Sequence, residues 1–269
     1  VAGADETMLS VVISVLVVLI SGGLLSYVRS VLRGTVAGPV QKVDLAGQTF
    51  VVTGASRGIG FSAGLVLLDW GGTVVFAVRD VAKCQRAILA ATSDPDQRQR
   101  AEVVHLDLSS FASVRKFSAD TFIKPARRCH CLINNAHCSG LVAQLATVDG
   151  VEHSYQVNYL SHFLLTLLLM PALATTFGEG GVGASPQQCG PSFSRPGSTG
   201  TQVAGRVVHV TSRTYALAGP VRRDAYSPSA RHLGSEFYRP DKVYGDTKLM
   251  QVLFSKELTA QVSMPLSVY

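Results

Sequence analysis

The sequence predicts an α/β fold, a doubly wound parallel sheet with helices on both faces, preceded by one N-terminal transmembrane helix. Three observations carry this reading. From Phe50 onward, short, uniformly apolar runs alternate with helically spaced apolar residues; the first run ends in a glycine-rich turn that opens a helix; and an uncharged apolar stretch stands ahead of both. Strands covered on both faces read as continuous apolar runs, so the strands are expected to be parallel, joined by right-handed crossovers.

Residues 1–7 form a tail carrying Asp5 and Glu6. Met8–Val28 follows, 21 uncharged residues rich in Val, Leu and Ile. As a helix rising ~1.5 Å per residue it reaches ~31 Å, the thickness of a bilayer's hydrocarbon core. The tail lacks the basic residues that open a signal peptide, which favours an uncleaved anchor. Arg29, Arg33 and Lys42 lie in the juxtamembrane linker 29–46, so the positive-inside rule puts the large domain on the cytoplasmic side. Because the chain opens on Val1, either its N-terminus is incomplete or Met8 is the true start.

The domain at 47–269 reads in order. Strands are expected at Phe50–Thr53, Thr73–Val78, Val103–Leu106, Cys131–Asn134, Arg206–Thr211 and Leu266–Tyr269. Helices are expected at Phe61–Trp70, Val81–Ala91, from a Ser109 or Ser110 cap through Phe122, at Val151–Leu173 and at Tyr244–Gln261. Two stretches interrupt the alternation. Residues 177–205 are rich in Gly, Ser and Pro and read as a flexible insertion. Residues 213–241 hold Tyr215, Leu217, Tyr226, Phe237 and Tyr238, an aromatic density that suggests a substrate lid loop.

At 269 residues with 47% hydrophobic content and a mean hydropathy of +0.26, the chain is not disordered, collagenous or a disulfide scaffold. Its charge of +6 is spread thinly: Lys124, Arg127 and Arg128, and then Arg222 and Arg223, are short patches without interleaved aromatics, which argues against a nucleic-acid partner. Five cysteines without a CxxC pair point to reduced thiols in the cytosol. Cys129, Cys131, His137 and Cys138 run along a strand and its exit, where alternate side chains diverge, so no metal site is expected.

The chemistry concentrates in two places. Between the first strand and first helix, Gly54, Ser56, Arg57, Gly58, Ile59 and Gly60 form a turn whose glycines allow close backbone approach by a pyrophosphate at a helix N-terminus, the Rossmann-type arrangement. At the end of the second strand an acidic residue selects the free ribose 2′-hydroxyl, whereas Arg favours a 2′-phosphate. Arg79 stands there with Arg57 nearby, so NADP(H) is preferred over NAD(H); Asp80 is read as a helix cap. Asp107, after the third strand, either meets the adenine edge or caps its helix. In the last helix Tyr244 and Lys248 are four residues apart on one face, and Ser212 lies at the C-terminal edge of the fifth strand. To act near neutrality a Tyr must drop roughly 3 pKa units, about 4 kcal/mol, which a cation ~4 Å away supplies at an effective dielectric of ~20.

With Asn134-Asn135-Ala136 and Asn158 added in this order, the chain from about residue 47 to 269 resembles the short-chain dehydrogenase/reductase family. The stretches around Asn158 and after Lys248 are similar to its membrane-anchored retinol dehydrogenase-like branch. The resemblance implies an NADP(H)-dependent oxidoreductase interconverting an alcohol and a carbonyl on a lipophilic small molecule. It gives Tyr244 the proton exchange, Lys248 the lowering of that phenol's pKa and the nicotinamide ribose, Ser212 the substrate oxygen, and Asn158 a water leading from Lys248 to solvent. Asn134 and Ala136 join the cofactor site. It further implies a single-pass membrane protein of the endoplasmic reticulum, in contact with lipid and compatible with a homo-oligomer. Three departures stand out: His137 replaces the family's glycine after Ala136, Ser212 and Tyr244 are unusually far apart, and Tyr269 falls where the family continues, so the chain reads as a fragment lacking a substrate wall. The rival reading is a catalytically weak, nucleotide-binding membrane scaffold or sensor, which would need the glycine turn but not Tyr244.

Overall fold

Short runs of Val, Phe and Ile bounded by glycine and polar residues form strands because they are too brief for helices and pack on both faces. In the computed structural model they are β1 (Thr49–Thr53), β2 (Thr73–Val78), β3 (Ala101–His105), β4 (Cys131–Asn134), β5 (Arg206–His209) and β6 (Ser267–Val268). The structure describes residues 41–139, 145–174, 205–219, 239–262 and 267–268. The anchor expected at 8–28, nearly all of the 177–205 insertion and lid residues 220–238 lie outside the described residues. All five pairings are parallel, in the order β3-β2-β1-β4-β5-β6. The winding reverses between β1 and β4, the place where open α/β sheets form a ligand crevice at their carboxyl edge.

The helices connecting them are α1 (Gly58–Asp69), α2 (Val81–Ala91), α3 (Pro95–Arg100), α4 (Phe111–Ser118), α5 (His153–Tyr155), α6 (Ser161–Ala174) and α7 (Pro240–Val262). Several differ from the sequence expectation. α1 starts inside the glycine turn, at Gly58. α3 is an additional element, capped by Asp94, and runs directly into β3, which therefore begins two residues early. Ser110 caps α4, and a π-helical turn, Ala119–Ile123, extends it. The helix expected over Val151–Leu173 is composite: Glu152 caps α5, Gln156–Leu160 is π-helical, and α6 follows. α7 begins at Pro240, one turn ahead of the expected Tyr244, because proline's fixed φ suits the start of a helix.

Strand periodicity divides the core. Val51, Val75, Leu132 and Val207 face α4, α6 and α7, while Val52, Val74 and Phe76 face α1 and α2. Leu165, Leu169 and Leu173 are fully buried along one side of α6. Each such side chain contributes about 1.5–3 kcal/mol by leaving water. The His153–Leu173 stretch is as apolar as a membrane span, yet half of it is buried in this core. Cys84 and Cys131 are buried thiols that desolvation pushes up, to about 11 and about 12. Leu45 packs against the second face and donates its N–H to Trp70 O at 2.8 Å, within a compact unit that starts at Asp44.

Candidate active site

Thr53, the last residue of β1, ties the glycine turn to the exit of β4. Its hydroxyl accepts the N–H groups of Asn135 and Ala136, both at 2.9 Å, and its carbonyl accepts Asn135 Nδ2 at 2.8 Å. The two segments approach so closely that a Cβ on Gly54 would lie 2.7 Å from Ala136 Cα, and Gly54 also has φ +64°. Gly58 has φ +61° but open space beside it. Arg57 precedes α1 without capping it, so its side chain satisfies none of the first-turn N–H groups.

Above this turn lies a cavity of about 670 Å³. Gly54, Ser56, Arg57, Gly58 and Ile59 line it, with Arg79, Asp107 and Ala136, as the sequence predicts. Four expected cofactor residues, Gly60, Asn134, Tyr244 and Lys248, are not among its lining residues, and neither are Ser212 and Asn158. Gly60 is buried beneath, against the Asn135 amide, and Asn134 points away, its Nδ2 donating to Thr166 Oγ1 at 3.0 Å. Neighbouring strand residues alternate faces, so Asn135 and not Asn134 reaches the crevice. Asp80 caps α2, accepting Lys83 N at 2.9 Å. Asp107 lines the cavity and also holds its turn: Oδ1 accepts Ser109 N at 2.9 Å and Ser109 Oγ at 2.7 Å. Partial burial would raise that carboxyl, but the Ser109 hydrogen bonds hold it below its usual value. Lys83 also lines the cavity and was missed; the signal was its position four residues after Arg79, one turn into a helix that begins at the crevice.

His137 and Cys138 mark the far end of the cavity. The His137 ring sits 6.1 Å from that of Tyr244, and its backbone is not in the left-handed region, so the side chain that replaces the family's glycine is accommodated without strain. Tyr244 and Lys248 share a face of α7, as the spacing requires, with Lys248 Nζ 5.5 Å from the centre of the phenol ring. The Ser212 hydroxyl favours the ionised form of the Tyr244 phenol, and it caps the 3₁₀ turn Arg213–Leu217, accepting Thr214 N at 3.3 Å. Asn158, in the π-helical turn, clamps the main chain of Cys138. Its Oδ1 accepts Cys138 N at 2.8 Å, and its Nδ2 donates to Cys138 O at 3.0 Å and Thr247 Oγ1 at 3.2 Å. The side chain thus braces the crevice against α7, and π-turns of this kind recur at functional positions.

The electrostatics differ from the expectation. Burial pushes the Tyr244 phenol above its ordinary value; the Ser212 hydroxyl opposes it but burial prevails, so the phenol is raised in this structure. Burial lowers Lys248 to about 8. Its ammonium is spent on Val210 O at 2.8 Å and Gln251 Oε1 at 3.1 Å, which leaves one N–H. Behind it, His162 and His209 are buried and held neutral by desolvation, with values near 3 and 4.

A crevice of this kind at the switch point is where doubly wound α/β proteins hold dinucleotides, and that is the class to which the fold and the glycine turn assign the chain. Residues 48–183, about half of the sequence, match the family model described as short chain dehydrogenase. The chain belongs to this family of oxidoreductases, in its retinol dehydrogenase-like branch. It is 31% identical to human retinol dehydrogenase 13 over 82% of this chain and 56% of that one. It is 34% identical to mouse polyprenol dehydrogenase over 84% and 58%, so it spans somewhat more than half the length of these relatives. Among solved structures, an uncharacterised protein from Mycobacterium paratuberculosis superposes with a TM-score of 0.61 at 28% identity, over 84% of this chain and 68% of that chain.

Proposed function

We propose that this chain carries the NADP(H)-binding and catalytic part of a membrane-anchored oxidoreductase that interconverts an alcohol and a carbonyl on a lipophilic small molecule. The observation that carries the reading is Tyr244: a phenol one turn from Lys248, whose Nζ lies 5.5 Å from the ring centre, with its ring 6.1 Å from that of His137 at the crevice and with Ser212 favouring its ionised form. A dinucleotide in the crevice is supported by the glycine turn that opens α1, whose N-terminus carries no side-chain cap where a pyrophosphate would sit. A bound nicotinamide dinucleotide supplies or takes up the hydride. Arg57, Arg79 and Lys83 would surround a ribose 2′-phosphate, which is the basis for preferring NADP(H). Asp107 would meet the adenine end.

The remaining steps belong to the chain's own residues. Ser212 orients the substrate oxygen beside the Tyr244 phenol. Because burial keeps that phenol protonated at neutral pH, it is ready to donate a proton to a carbonyl, which suits the reductive direction. Lys248, with a value near 8, is mainly an ammonium at pH 7 and stabilises the phenolate left behind. The retinol and polyprenol named in the relatives, together with the Met8–Val28 stretch, support a substrate that partitions into lipid, an anchor in the bilayer and a catalytic domain on its cytoplasmic side.

The test is oxidation of NADPH by the full chain with a panel of apolar aldehydes, including retinal. Tyr244→Phe should lower kcat at least ~10³-fold while leaving the NADPH Kd within about 2-fold. Turnover that survives this substitution refutes the reading.

A further inference from the structure

Resting on that reading of Tyr244 and Lys248, we propose that Gln251 is a positioning residue for the catalytic lysine. Its carboxamide bridges the Lys248 ammonium and the main-chain carbonyl of Asn158, the place the family resemblance gives to a water. Gln251 follows Lys248 by three residues on the same face of α7 and is fully buried. Its Oε1 accepts Lys248 Nζ at 3.1 Å and its Nε2 donates to Asn158 O at 2.8 Å. The partners determine which amide atom is which, because an ammonium only donates and a carbonyl only accepts.

The Asn158 carbonyl has a second partner. His162 Nδ1 lies 3.0 Å from it, and His162 Nε2 lies 2.9 Å from the Thr53 hydroxyl. A carbonyl cannot donate, so Nδ1 carries the hydrogen. The Thr53 oxygen already accepts the Asn135 and Ala136 N–H groups, so its own hydrogen goes to Nε2 of a neutral ring at 2.9 Å, a nearer acceptor than Ile133 O at 3.4 Å. Gln251 and His162 therefore fill both lone pairs of the Asn158 carbonyl. A continuous buried chain results, from Thr53 under the glycine turn through His162, Asn158 and Gln251 to Lys248. A carboxamide does not relay protons as water does, so this bridge holds the lysine in place. The titratable groups around the ammonium are Tyr244 on its own helix, Cys138 beyond β4, His162 on α6 and His209 on β5.

The discriminating measurement is an NMR titration of the full chain carrying ¹⁵N-labelled lysine, following Lys248 Nζ in the wild type, Gln251→Met and Gln251→Glu. Lys248 should titrate near pH 8 in the wild type. Its midpoint should fall when methionine removes the acceptor and rise when glutamate adds a charge, by about one pH unit in each case. The basic limb of kcat for NADPH-dependent aldehyde reduction should move the same way. In Gln251→Met, kcat should drop about 10- to 100-fold, the scale of one charge-assisted hydrogen bond, with the aldehyde KM changed less than about 3-fold. If both variants leave the Lys248 midpoint where it is in the wild type, the bridge is ordinary packing and the proposal is overturned. Should Gln251→Met not fold, Gln251→Glu alone decides, by the presence or absence of the upward shift. Lys248 midpoints that move as expected in a protein with no turnover would uphold the bridge and refute the proposed function instead.

Discussion

Around the glycine turn, contacts are made by backbone atoms and exposed cations, whereas around Lys248 they are made by buried side chains together with the main-chain carbonyls of Val210 and Asn158. Gly54, Thr53 and Ala136 bring main chain against main chain, and Arg57 and Arg79 reach into the crevice from its open side. Lys248 is 1% exposed, and Gln251, His162 and His209 around it are equally enclosed. The first region can tolerate a changed charge at modest cost. The second cannot, since a buried charge or an orphaned donor costs several kcal/mol.

Acid tests the second region most severely. His162 and His209 titrate near 3 and 4 in the folded chain but near the usual 6.5 when unfolded. Between those values the unfolded chain binds protons that the folded chain refuses, so stability falls as pH drops below 6.5. By pH 4 the loss from the pair reaches on the order of 6 kcal/mol, comparable to the whole stability of many domains. Urea titrations across pH 7 to 4 should record it, and a double His162→Gln, His209→Gln variant should flatten the dependence. A midpoint independent of pH over that range would remove the contrast between the two regions.

Gly54→Ala attacks the first region at its tightest point. A Cβ there meets the Ala136 backbone at a left-handed φ, so stability should drop by about 2–3 kcal/mol and NADPH binding should weaken with it. Smaller is the effect of Arg79→Ala, measured by quenching of intrinsic fluorescence: NADPH affinity should fall about 10-fold and NADH affinity should hardly change. Equal losses for both coenzymes would mean that Arg79 does not meet the 2′-phosphate. Smallest is Asp80→Ala, which removes the cap of α2 and should cost about 1 kcal/mol in thermal unfolding, with no change in coenzyme preference.

The two regions were also legible to different degrees. β2 and α2 were read to the residue because two glycines precede the apolar run of β2 and Asp80 caps α2, and these signals are local. The sequence likewise placed Tyr244 and Lys248 on one face, since helical spacing alone dictates that. It could not separate Asn134 from Asn135, because which of two neighbours faces the crevice depends on the strand's register in the sheet. It missed α3, whose six residues bury nothing and so have no apolar periodicity.

Sequence alone, then, determined the order of strands and helices, the glycine turn and the spacing of the reactive pair, because each depends on residues within a few positions of one another. Tertiary structure decided the electrostatics. Tyr244 is raised instead of lowered, and Lys248 is brought to about 8, because desolvation depends on what packs over a group and not on its neighbours in the chain. The same holds for Gln251 and His162, which meet at the Asn158 carbonyl from helices 89 positions apart and reveal their purpose only once folding has removed every other partner.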